Sequence, residues 1–188
     1  AGFYYAPDPS SQIACSIGGN VAENAGGVHC LKYGVTTNNL LGVELVTMEG
    51  EVLRIGGKGL DAEGYDLLGI VTGSEGLLGV ITEVTVRILR KPETARAVLI
   101  GFPSNEQAGD CVAKVIGAGI IPGGMEMMDK PAIRATEDFV HAGYPLDVEA
   151  LLIVELDGPK AEVDHLIETV ATIAAACGAV YTRASENE

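Results

Sequence analysis

Hydrophobic and polar residues change rhythm near residue 92 of this chain. Before it, residues 80–89 alternate, with Val80, Thr82, Val84, Val86 and Ile88 on one face and Glu83, Thr85 and Arg87 on the other. A period of two predicts a half-buried strand with an antiparallel neighbour, since antiparallel sheets commonly keep one face in water. Residues 43–47 and 51–55 flank Met48-Glu49-Gly50 and read as the arms of a hairpin. The opening run Ala1-Gly2-Phe3-Tyr4-Tyr5 also reads as strand, and glycine loops fill much of the rest.

Beyond Pro92, strands and helices take turns. Residues 97–102 predict a strand. Ser104 follows as a helix N-cap, with Gln107 in the capping-box position. Ala108, Cys111, Val112, Val115 and Ile116 recur at i, i+3, i+4, i+7 and i+8, the stripe of an amphipathic helix. Residues 123–128 predict a strand, 130–141 a helix and 151–156 a strongly apolar strand. Pro159 opens a last helix whose stripe is Val163, Leu166, Ile167, Val170, Ile173, Ala174 and Cys177. Gly178 ends it and 179–182 supply a final strand. This half has the pattern of a ferredoxin-like unit with its helices on one sheet face. The fold class is α+β, divided into domains 1–92 and 93–188.

Length and charge narrow the function. The 188 residues suffice for one ordinary domain or two small ones. Twelve Lys and Arg stand against 26 Asp and Glu, a net charge of −14, and no basic cluster exists to hold a phosphate backbone. Nucleic acid is therefore excluded as a partner. Apolar runs such as 150–154 and 173–177 fall far short of the roughly 20 residues of a transmembrane helix. Cys15, Cys30, Cys111 and Cys177 form no C-x-x-C pair and no zinc-like spacing with His29, His141 or His165, as expected of reduced thiols in a cytosolic protein. No signal or transit sequence is visible. The first residue is Ala1 rather than Met, which adds the expectation of a piece of a longer protein.

Glycine is the unusual component. It makes up 25 of 188 residues, about 13% against a usual ~7%, and 16 of the 25 lie in residues 1–92. Three segments hold most of them. In Ser16-Ile17-Gly18-Gly19-Asn20-Val21-Ala22-Glu23-Asn24-Ala25-Gly26-Gly27, paired glycines let main chain approach a flat or anionic ligand, and Asn20 and Asn24 add amides. The alternative is a turn-rich connection between strands. In Gly73-Ser74-Glu75-Gly76-Leu77-Leu78-Gly79-Val80-Ile81-Thr82, main-chain N–H groups can line an anion-binding concavity, but the loop opens a strand, not a helix. It is neither a Walker loop nor a Rossmann fingerprint. The third segment, Gly56-Gly57-Lys58-Gly59 to Gly64-Tyr65-Asp66-Leu67, reads as a structural surface loop.

With Tyr33-Gly34 added, these motifs, in this order, resemble the vanillyl-alcohol-oxidase-type (PCMH-type) FAD flavoproteins. Within that superfamily the chain is most similar to the FAD-linked glycolate oxidase subunits, beside D-lactate and D-2-hydroxyglutarate dehydrogenases. The resemblance runs from about Tyr4 to the end. It implies that residues 1–92 are the second part of an FAD-binding domain and 93–188 the opening of a ferredoxin-like substrate or cap domain. Ser10, Cys15, Ser16, Gly18, Gly19 and Asn20 would line the cofactor, as would Glu23, Asn24, Ala25 and Gly26. Glu75, Gly76, Gly79, Val80 and Ile81 would meet it through main-chain groups. Leu77 departs from the family's Thr and removes a hydroxyl there.

The resemblance also implies the chemistry. A 2-hydroxy acid, glycolate first and D-lactate second, would be oxidised to the 2-oxo acid, with hydride passing to a noncovalent FAD. The family's pyrophosphate loop and its histidine-bearing segment fall outside this chain. No catalytic residue can therefore be named, and the chain alone should bind FAD poorly and not turn over. Glycolate enzymes of the family work with a second flavin-type subunit and an iron–sulfur subunit. That places the protein in the cytoplasm, with a peripheral position at the inner membrane through those subunits as a further option. His29 is expected to be structural and His141 and His165 to lie on the surface. Glu126 and Asp129 are the best acidic pair of the second half, assigned to packing rather than to metal. The competing reading is a noncatalytic ligand-binding or regulatory module, which has no use for the glycine segments. A cell-wall amino-sugar reductase reading keeps the fold but matches the motifs less well.

Overall fold

The hairpin and the alternating strand meet in one sheet, and the join contains a bulge. The computed structural model describes residues 1–59 and 64–185, which form two compact units, Ala1–Lys91 and the chain from Pro92 onward. The first unit runs β1 (Phe3–Tyr4), α1 (Ile17–Ala22), α2 (Cys30–Tyr33), α3 (Thr36–Asn39), β2 (Leu40–Val46), β3 (Val52–Gly56), α4 (Leu67–Val71), β4 (Val80–Val86) and β5 (Leu89–Arg90). β2 is the centre of an antiparallel sheet ordered β3-β2-β4, while β1 pairs with β5.

On β4, Glu83 pairs with Glu44 but Ile81 pairs with Leu45, so Thr82 is an extra residue. A bulge of this kind reverses the faces of the residues beyond it. Ile81, and not Val80 or Thr82, therefore packs with Val84 and Val86 against Val43, Leu45, Val21 and Val71. Val80 is left 67% exposed. The expected face of Val80 and Thr82 is corrected accordingly. The opposite face of the sheet is polar: Arg54 sits 2.7 Å from Glu44 and 3.9 Å from Glu83, screening two carboxylates that the register places side by side.

The four short helices of this unit replace stretches that the sequence presents as glycine loops. Each has four to six residues, too few to show a periodic stripe. α1 even contains Gly18 and Gly19. It is held by its cap, the Ser16 hydroxyl accepting the Gly19 N–H at 3.1 Å, and by packing on β4.

The second unit runs β6 (Thr94–Phe102), α5 (Asn105–Gly117), β7 (Gly124–Asp129), α6 (Lys130–Val140), β8 (Ala150–Gly158), α7 (Lys160–Ala176) and β9 (Tyr181–Ala184). Its antiparallel sheet is ordered β7-β8-β6-β9, the ferredoxin-like order with α6 added between the second and third strands. Val98, Ile100, Leu152, Val154 and Leu156 face α5 and α7. Leu99, Leu151 and Ile153 face the other way and pack with Ile133 of α6. Helices thus cover both faces, not one as expected. That is why β8 reads as a continuous apolar run: both of its sides are buried.

Candidate functional site

The two glycine segments singled out separately in the sequence lie against each other. The Gly73 and Glu75 N–H groups donate to the Val21 and Ala22 carbonyls, each at 2.9 Å, which lays residues 73–75 across the end of α1. At the other end of the crossing, a Cβ added to Gly18 would stand 2.7 Å from the Ile81 carbonyl oxygen. Asn24 (φ 48°) and Glu75 (φ 55°) are left-handed on opposite sides of this contact, two of the three described non-glycine residues with positive φ. Such backbone costs about 1–2 kcal/mol per residue and tends to gather at functional sites.

Ser74 to Leu77 form a tight turn, with the Leu77 N–H on the Ser74 carbonyl at 3.0 Å. Both central residues, Glu75 and Gly76 (φ 75°), are left-handed, the sign pattern of a type I′ turn. A Cβ on Gly76 would meet nothing within 4 Å, so its main chain faces open space. Leu77 is 80% exposed beside it.

Residues 9–15 form the third wall. The Gln12, Ala14 and Cys15 N–H groups turn back onto the Pro9 and Ser11 carbonyls. Pro9 bridges Gly27, whose bare Cα is required because a Cβ would fall 1.5 Å from the Asp8 oxygen. The Asn20 amide donates to the Cys15 sulfur at 3.4 Å, tying this wall to α1.

A cavity of about 410 Å³ opens here, lined by Cys15 and Asn20 together with Tyr4, Tyr5, Asp8, Gln12 and His29. His29 Nδ1 lies 3.8 Å from Asp8 Oδ2, and its ring meets Tyr33 edge-on. Burial raises the Tyr5 phenol above its ordinary pKa, with Thr36 acting in the opposite sense. The Thr36 hydroxyl is committed to the Ala25 carbonyl at 2.7 Å, and the Tyr5 oxygen makes no well-formed hydrogen bond. A larger concavity, about 540 Å³, lies beside β3 and Gly64–Gly69 in sequence. Residues 60–63 of the third glycine segment lie outside the described residues.

The candidate residues divide by what they face. Ser10, Cys15, Ser16, Gly19, Glu23, Gly26, Glu75, Gly76 and Val80 are exposed. Gly18 and Gly79 face the protein itself, and a Cβ on Gly79 would stand 2.5 Å from the Val46 oxygen. Asn20 is buried, and Asn24 spends its amide oxygen on the Thr37 N–H at 3.0 Å. Ala25 is half-buried and gives its carbonyl to Thr36, and half-buried Ile81 belongs to the core. Several glycines therefore serve close packing of chain on chain, which single-sequence reading cannot tell from ligand approach. The Asp8–His29 pair was missed because its members are distant in sequence and carry no motif.

Elsewhere, Asp129 caps α6 by accepting the Ala132 N–H at 3.0 Å, while Glu126 is exposed on β7. His141 is the left-handed C-cap of α6 and His165 an exposed residue of α7. Among the described residues no group of three or more His, Cys, Asp or Glu could hold a metal ion, and no helix is long and apolar enough to cross a membrane.

The first unit is thus a bulged antiparallel sheet with a helix–loop crossing on one side, and the second is ferredoxin-like. The chain belongs to the FAD-linked oxidase family: residues 91–188 match the model "FAD linked oxidases, C-terminal domain" and residues 1–56 match "FAD binding domain". FAD is the cofactor of this family.

The glycolate oxidase subunit GlcD of Escherichia coli K12 is 60% identical over 185 residues, covering 98% of this chain and 37% of the relative. GlcD of Bacillus subtilis is 39% identical over 188 residues, covering 100% and 40%. A D-lactate dehydrogenase of Anaerostipes hadrus is 33% identical over 190 residues, covering 95% and 39%. The chain thus spans about two fifths of the length of these relatives. A solved alkyldihydroxyacetonephosphate synthase shares the fold, with a TM-score of 0.82 at 21% identity over 100% of this chain and 36% of that one.

The residues present fit the cofactor. Open main chain at Gly76, exposed polar groups at Ser10, Ser16 and Glu23, and exposed apolar side chains at Ile13, Ile17, Leu77 and Val80 together suit a ligand with both a flat apolar ring system and polar edges.

Proposed function

We propose that the chain supplies part of the FAD cradle, and the opening of the substrate domain, of an oxidoreductase that converts a 2-hydroxy acid to its 2-oxo acid. The observation carrying this reading is the crossing of residues 16–24 with 73–81 in a chain 60% identical to a glycolate oxidase subunit. Residues 1–91 belong to the cofactor side and residues from Pro92 to the substrate side. Bound FAD would supply the two-electron acceptor for the substrate's hydride.

The chain's own part is positional. Ser10, Cys15, Ser16, Gly19, Glu23 and Gly26 present the polar edge of the cradle. Glu75, Gly76 and Val80 present main chain, and Gly18, Asn20, Asn24, Ala25, Gly79 and Ile81 hold those surfaces in register. The cofactor is held without a covalent bond, because His29 and Cys30 do not fall where the family resemblance would place an attachment residue. Glycolate is the first substrate and D-lactate the second, following the identities of 60% and 33%. A second flavin-type subunit and an iron–sulfur subunit would carry electrons onward, placing the enzyme in the cytoplasm or against the inner membrane.

The purified intact enzyme, assayed with a redox dye as acceptor, should oxidise glycolate faster than D-lactate. Acid denaturation should release its yellow chromophore. Oxidation of neither acid would overturn the activity, and colour retained on the polypeptide would overturn noncovalent attachment.

A further inference from the structure

Residues 9–15 form one wall of the cradle, and Ser10, Ser11, Gln12, Ile13, Ala14 and Cys15 within it are all exposed. A segment with so little core beneath it opens at low cost unless its ends are fixed. The far end is tied to α1 by the Asn20 amide, which donates to the Cys15 sulfur at 3.4 Å. The near end rests on Gly27. Pro9 and Gly27 form a β-bridge, and a Cβ on Gly27 would fall 1.5 Å from the Asp8 main-chain oxygen. A side-chain contact joins the same two segments, with Asp8 Oδ2 3.8 Å from His29 Nδ1.

The surroundings of His29 hold it to this contact. It stands at the N-cap of α2, where its side chain makes no capping hydrogen bond. The Cys30 sulfur accepts the Gly27 N–H at 2.8 Å, which fixes the turn between Gly27 and the helix. Tyr33 meets the imidazole edge-on with ring centroids 6.3 Å apart, and Tyr4 of β1 meets Tyr33 in the same way at 6.4 Å. The His29 and Asp8 side chains are 19% and 32% exposed, so dissolved ions screen their attraction less than on an open surface. Both line the cavity of about 410 Å³, together with Gln12 and Cys15 of the wall.

We propose that His29 is a positioning residue: with Asp8 it clasps residues 9–15 in the place where Ser10 and Cys15 present their side chains to FAD. The proposal rests on the cradle reading above. The clasp acts without His29 touching the cofactor. It raises the fraction of molecules whose wall is already in place, and apparent affinity scales with that fraction. Breaking the clasp therefore weakens FAD binding, and it loosens the wall even before FAD arrives.

The test strips FAD from the intact enzyme, titrates it back by flavin fluorescence, and follows amide hydrogen exchange in the FAD-free protein. His29→Leu and Asp8→Asn should each raise the FAD dissociation constant about fivefold or more, the low end of a typical coupling between sites. Each should also speed exchange at the Gln12, Ala14 and Cys15 amides. The double variant should bind no more weakly than the weaker single one, because both substitutions break one contact. His29→Asn, which returns a nitrogen near the place of Nδ1, should recover much of the affinity. Should His29→Leu fail to fold, the nearly isosteric Asp8→Asn decides. Parent-like affinity in that variant would overturn the proposal, as would additive losses in the double variant. So would weakened binding with exchange at residues 12–15 unchanged, or no recovery in His29→Asn. An intact parent that takes up no FAD would instead contradict the cradle reading, and the exchange rates would still test the clasp.

Discussion

Gly18 approaches the Ile81 carbonyl oxygen so closely that one added methyl group would stand 2.7 Å from it. The obstacle is backbone of β4, which cannot swing aside as a flexible side chain would. Gly18→Ala should therefore lower stability by about 1–3 kcal/mol, the range for overpacking a close contact. It should also weaken FAD retention, because α1 can relieve the clash only by lifting from β4. Chemical denaturation and flavin content of the purified variant measure the two effects.

Glu75 occupies a turn position that favours Asn or Gly. Both central residues of the Ser74–Leu77 turn are left-handed, and Asn-Gly is the favoured pair for that geometry. Glu75→Asn should stabilise the protein by about 0.5–1 kcal/mol, part of the left-handed penalty of an ordinary residue. Chemical denaturation of the variant beside the parent checks this. A loss of stability would mean that the glutamate side chain contributes a contact of its own.

Glu137 closes the loop after α6. Its carboxylate accepts the Tyr144 N–H at 2.9 Å and the Gly143 N–H at 3.1 Å. These bonds, the Tyr144 one foremost, hold the carboxyl below its ordinary value of 4.5. A folded pKa below the unfolded one gives a contribution that is whole above the ordinary value and lost as pH falls through the lowered one. Glu137→Gln should therefore differ from the parent at neutral pH and converge on it in acid. Hydrogen exchange at the Gly143 and Tyr144 amides across that range is the measurement.

Ser104 anchors α5 by accepting the Gln107 N–H at 3.2 Å. Ser104→Ala should cost about 1 kcal/mol, the usual worth of such a cap. A cost near zero in equilibrium unfolding would show that packing alone sets the helix start.

How far the sequence discloses this molecule depends on how long each pattern runs. The stripe on α5 and the runs behind β6 and β8 were legible because many residues repeat one period, and their strand order is that of the expected ferredoxin-like unit. The helix Ile17–Ala22 was not legible, since its hold comes from a Ser16 cap and from Gly18 against β4, neither of which leaves a periodic signature. The face of Val80 was misread because the bulge at Thr82 is set by pairing with β2. At the candidate site, motif order singled out two segments that the structure lays against each other. That Gly18 and Gly79 serve internal packing, and that Asp8 reaches His29, needed coordinates.

The central claim is that residues 16–24 and 73–81 together form part of the FAD cradle. Amide hydrogen exchange on the intact enzyme, with and without FAD, tests it without any substitution. Binding should slow exchange in both segments at once, with the Gly76–Leu77 amides among those protected and α5 unchanged. Protection confined to other segments, with these two indifferent to FAD, would contradict the account.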